Sequence, residues 1–131
     1  MTKHIGTSEI TLQGKEYTLR PTFEAMVEFE EKAGMPTSVA FREMLQGNMS
    51  FKVIATLLWA GIKGQAVFEN RPEKALKWQV VGEMVRKDGI TSHFKNAKEF
   101  LSNAVLSEED QKRAEEPDEG ESEAVGSKKN T

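Results

Sequence analysis

Pro21 divides this chain between two hydrophobic periods, and that change limits the folds open to it more than any other feature. Before it, Ile10 and Leu12 alternate with Glu9, Thr11 and Gln13, and Tyr17 and Leu19 repeat the alternation after Gln13-Gly14. Successive side chains on a strand point to opposite faces, so two such runs around a glycine turn predict a β-hairpin. After Pro21, the residues Phe23, Met26, Val27, Phe29 and Ala33 return at helical spacing, with Thr22 as the predicted N-cap and Gly34 as the left-handed stop. A lone hairpin is marginal in water, so its apolar face is expected to lie on helices. In this reading Tyr17 and Leu19 seat the hairpin, and Phe23 anchors the first helix to it.

The same punctuation predicts three or four further helices. One follows Ser38 and carries Val39, Phe41, Met44 and Leu45 to Gly47. The next, capped by Ser50, runs through Phe51, Ile54, Leu58 and Trp59 and stops near Gly61 to Gly64. A third extends from Pro72 through Leu76, Trp78, Val81 and Val85 to Gly89. The last starts near Ser92 and buries Phe94, Ala97, Phe100, Leu101, Ala104 and Val105. The predicted fold class is therefore α+β, mainly α: an N-terminal β-hairpin packed on a bundle of four to five short helices, spanning residues 1–106. Residues 107–131 carry nine acidic side chains and only Ala114, Ala124 and Val125 as apolar groups. So little apolar surface cannot offset the entropy of ordering a chain, and a disordered acidic tail is expected, with room for a helical turn or two between Ser107 and Glu116.

At 131 residues the chain fits one small domain. It has no cysteine, which excludes disulfides, thiolate metal sites and a cysteine nucleophile. No apolar run reaches the roughly 20 residues of a bilayer span, and the start is polar, so a cytoplasmic protein with no membrane contact is expected. His4 and His93 lie far outside any metal-ligand spacing and read as cap or surface residues. No nucleophile elbow or phosphate loop is present. Glu24, Glu28, Glu30 and Glu31 read as a solvated helix face rather than paired catalytic carboxylates. The expectation is a protein that is not an enzyme, with no catalytic residue, metal or cofactor.

The net charge of −3 conceals an uneven distribution: residues 1–51 carry −2, residues 52–98 carry +5 and residues 99–131 carry −6. Such asymmetry favours charge-steered association. Gly61-Ile62-Lys63-Gly64 opens the basic block and has the form of a loop that clamps a nucleic-acid backbone. That fold needs three strands where this chain offers two, so the pair of glycines reads as a helix C-terminus, and nucleic-acid binding is not expected. Six methionines are many for a small domain. Most should fill the core, but Met35, Met44 and Met49 cluster around two short loops, and methionine repacks readily at adaptable binding surfaces. With Phe41 and Trp59 they are the candidate partner-binding residues.

Tyr17-Thr18-Leu19-Arg20-Pro21-Thr22-Phe23-Glu24-Ala25-Met26, with Glu30, Gly34 and the later Leu57-Leu58-Trp59-Ala60-Gly61-Ile62-Lys63-Gly64, resembles the tail assembly chaperone family of gene transfer agents and siphophages. The resemblance covers about residues 5 to 106, and Trp59 departs from the more polar residue common there. It implies a chaperone that coats the tape measure protein, recruits tail tube protein, works in the cytoplasm of a bacterial host and is absent from the finished virion, while self-association into a homo-oligomer stays an open option. A structural tail component, tube or minor tail protein, is the alternative. A small nucleic-acid-binding regulator is a more distant one.

Overall fold

A computed structural model of the chain describes residues 6–106, and the expectations for His4 and for the tail from residue 107 lie outside the described residues. Strands β1 (Ser8–Leu12) and β2 (Lys15–Leu19) are followed by helices α1 (Phe23–Ala33), α2 (Thr37–Leu45), α3 (Phe51–Phe68), α4 (Trp78–Asp88) and α5 (Thr91–Val105), with a 3-10 turn at Pro72–Lys74. The α+β, mainly helical class read from the sequence is the class observed. The strands pair antiparallel from Ser8 opposite Leu19 to Leu12 opposite Lys15. Gln13 and Gly14 both have positive φ, 50° and 82°, the twist a two-residue hairpin turn requires. Ile10, Leu12 and Leu19 are buried against the helices.

Helix α3 is the axis of the molecule, in contact with β2, α1, α4, α5 and the 3-10 turn. It is long and apolar enough to cross a membrane by length and composition, yet 61% of it is buried by the rest of the protein, as in a core helix. Its course corrects the expectation of a stop at Gly61 to Gly64, because it runs on through both glycines to Phe68. The apolar stripe Ile54, Leu58, Ile62, Ala66 continues at four-residue intervals across them, so the burial that sustains the helix does not end at Gly61. The glycines serve close approach instead. A Cβ at position 61 would stand 2.8 Å from the Leu19 Cβ, and one at 64 would stand 2.1 Å from the Arg20 carbonyl oxygen. Into that notch the end of the hairpin descends, and the Arg20 N–H donates to the Gly61 carbonyl at 3.0 Å. The Arg20 guanidinium then lies 3.5 Å from the Phe68 ring centroid while its Nε–H donates to Gln65 Oε1 at 2.9 Å. The Gly-x-x-Gly segment is thus a helix–strand contact and not a loop.

Helix α1 begins and ends as its sequence predicts. The Thr22 side chain accepts from the Ala25 N–H, and Gly34 at φ 76° closes the last turn on the Glu30 carbonyl. Its buried face is Ala25, Phe29 and Ala33. Phe23 corrects the expected anchor: it is 86% exposed, on the side of the helix turned from that face. The next helix starts at Thr37 rather than after Ser38 and has no cap from its own sequence. Glu30 supplies one from α1, accepting from the Thr37 N–H and hydroxyl at 2.8 Å each. Those two bonds, the backbone one first, hold the Glu30 carboxyl below its ordinary range.

The predicted helix from Pro72 is also corrected. Pro72–Lys74 makes one 3-10 turn, Ala75 and Lys77 turn extended, and α4 begins at Trp78. This break lets Trp78 face α3, where its indole N–H donates to the buried Thr56 hydroxyl at 3.0 Å. His93, expected as a cap or surface group, is only 4% exposed. Its Nε2 lies 2.8 Å from Asp88 Oδ2, and Asp88 also accepts from the Gln13 N–H at 3.0 Å and the Gln13 amide at 2.5 Å. One carboxylate at the end of α4 therefore ties the hairpin turn to α5. The Gln13 backbone N–H first, then its side-chain amide, hold Asp88 below the usual carboxylate range.

Candidate functional site

The five candidate partner-binding residues do not form one surface. Met44 is corrected outright: it is 2% exposed and belongs to the core. Met35 and Phe41 are half-buried against that core, and Met49 is exposed in the loop before α3. Trp59 is half-buried on α3, where Lys63 approaches its ring at 5.6 Å and Lys32 at 5.9 Å. Lys63 also pairs with Glu28 at 2.6 Å.

The better candidate lies between α3 and α4. There a groove of about 480 Å³ has Phe51 and Ala55 of α3 on one wall and Trp78 and Gly82 of α4 on the other. Each helix contributes residues four apart, which places them on one face. The Trp78–Thr56 bond at one end and the Arg86 wall at the other show α4 running antiparallel to the first half of α3. Lys52, Arg86 and Glu83 form the polar margin, with Arg86 paired to Glu83 at 2.9 Å. At the Trp78 end, Lys32 reaches from α1 to 4.8 Å from the Trp78 ring centroid. Phe51 is 42% exposed, so the groove offers an aromatic anchor directly to solvent.

Gly82 keeps this groove open. Glycine inside a helix costs roughly 1 kcal/mol relative to alanine, and here no neighbour demands it, since a Cβ at 82 would meet nothing within 4 Å. Gly61 and Gly64 are explained by packing; at Gly82 no neighbour requires glycine, and the residue leaves the groove floor free of a side chain. Sequence reasoning missed this site because it lies across two helices, though a glycine between Trp78 and Arg86 on one helical face was the available signal.

A second cleft of about 470 Å³ between β2 and α3 holds Lys15, Lys74, Glu69 and Glu73 over Ile62 and Ala66. Glu69 is held below the usual range by hydrogen bonds from Gln65 first and Lys74 second. Like Glu30, Glu83 and Asp88, it is kept ionised, the reverse of what a general acid needs at neutral pH. Among the described residues no group of His, Asp and Glu could hold a metal ion. Comparison with protein-family profiles, curated proteins and solved structures found no match to the chain.

Proposed function

We propose that this protein is a tail assembly chaperone, which holds the tape measure protein in the cytoplasm of the bacterial host while tail tube protein assembles around it. The observation that carries the reading is the apolar groove between α3 and α4, left open by Gly82 and bordered by the exposed Phe51 ring. A groove of this kind accepts the apolar face of a partner helix through anchors three and four residues apart. The resemblance of Tyr17–Met26 to the tail assembly chaperone motif supports the same reading. The chaperone leaves before the particle is complete. Quantitative mass spectrometry of purified particles tests this: the tape measure protein is expected in full amount and this chain in none. Its presence at a fixed stoichiometry would make it a structural tail component instead.

A further inference from the structure

We infer that the α3–α4 groove takes an amphipathic helix whose apolar stripe is flanked by carboxylates. The inference rests on the chaperone reading and narrows it to a surface and a partner chemistry. The floor asks for large apolar side chains: Phe51, Ala55 and Trp78 present carbon, and Gly82 presents none. From Trp78 to Arg86 the groove runs about 12 Å at 1.5 Å per helical residue, enough for anchors at i, i+4 and i+7 of a partner helix. The margin asks for negative charge. Lys52 and Arg86 line one end, and Lys32 stands over the Trp78 ring at the other, where α4 opens without a side-chain cap and its first N–H groups add positive potential. Against these, Glu83 offsets Arg86 and Glu31 offsets Lys32, which leaves Lys52 and the first turn of α4 as the positive margin a partner carboxylate would meet. The acidic segment 107–131 of this same chain meets the charge requirement and fails the apolar one, since Ala114, Ala124 and Val125 are too small to fill a floor built around Phe51 and Trp78.

The chain has two tryptophans, and Trp78 lies in the groove, so tryptophan emission of the full-length protein reads occupancy. Three synthetic helical peptides serve as probes: a leucine stripe flanked by glutamates, the same stripe flanked by lysines, and the glutamate peptide with its leucines replaced by alanine. The first is expected to shift the emission saturably, with an affinity that weakens as salt rises, and the other two are expected to bind at least ten times more weakly. Gly82→Phe, which fills the groove with a ring where the structure has room, is expected to abolish the shift while keeping the wild-type circular dichroism. Gly82→Ala is expected to retain most of it. Equal binding of the alanine peptide would assign the interaction to charge alone and overturn the inference, as would undiminished binding by a folded Gly82→Phe protein. Capture of the tape measure protein with no binding of the glutamate–leucine peptide would overturn the groove assignment and leave the chaperone reading standing. Peptide binding with no capture of the tape measure protein would do the opposite.

Discussion

Gly64 and Gly82 differ in what their missing side chains do, and the difference predicts opposite mutational signs. At Gly64 an added methyl would strike the Arg20 carbonyl, a backbone atom that moves only if the hairpin moves. Gly64→Ala is expected to cost at least about 1–3 kcal/mol, the usual range for overpacking. At Gly82 the same substitution meets open space and gains helix propensity, so stability should rise by up to about 1 kcal/mol. Denaturant titrations of both variants check the pair, and a Gly64→Ala protein as stable as wild type would remove the notch from the account. A second pair separates the phenylalanines of α1. Phe29 is fully buried and its change to alanine should cost about 3–5 kcal/mol, whereas Phe23→Ala at 86% exposure should stay within about 0.5 kcal/mol of wild type. Equal thermal midpoints for the two would contradict the burial assigned to them. Phe23 also shows where local reading fails: its aromatic character suggested an anchor, but the helical face is chosen by Ala25, Phe29 and Ala33 together.

At the scale of elements, the parts set by neighbouring residues were legible in the sequence and the parts set by distant ones were not. The Gln13-Gly14 turn, the Thr22 cap and the Gly34 stop each depend on a few adjacent residues. The notch in α3 at Gly61 is filled by Leu19 and Arg20 of a distant stretch of chain, the cap of α2 comes from Glu30 on α1, and the burial of His93 depends on Asp88 and the hairpin turn. The groove belongs to the same class, since neither α3 nor α4 announces its partner. The joint at Asp88 gives a prediction in pH. A carboxylate whose folded pKa lies below its unfolded value contributes stability that is complete above the unfolded value, near 3.9 for Asp, and lost as pH falls through the folded one. Asp88→Asn should therefore lower the thermal midpoint at pH 7, with a gap to wild type that narrows once the pH falls below about 4, while His93 beside Asp88 adds to the gap wherever it is charged. A gap that does not narrow as the pH falls from about 4 toward about 2 would show that the ionised carboxylate is not what joins hairpin to α5. Glu30 titrates with the same sign in both proteins and cancels in the comparison.

At the level of the whole molecule, a single core backs the apolar groove between α3 and α4. The buried core runs from Ile10 to Leu101 and draws on both strands and all five helices, so the walls of the groove are held by packing behind them. A preorganised wall spares the partner the cost of ordering it, which is how a small domain can hold a long helical chain without enclosing it. Under the proposed function, this groove keeps the tape measure protein soluble by covering apolar helix. Co-expression of that protein with the full-length chain, and separately with its Gly82→Phe variant, tests it most directly through the soluble fraction and co-purification. A soluble, co-purifying tape measure protein is expected with the wild-type chain and an insoluble one with a folded Gly82→Phe variant. Equal rescue by both, or by neither, would contradict it.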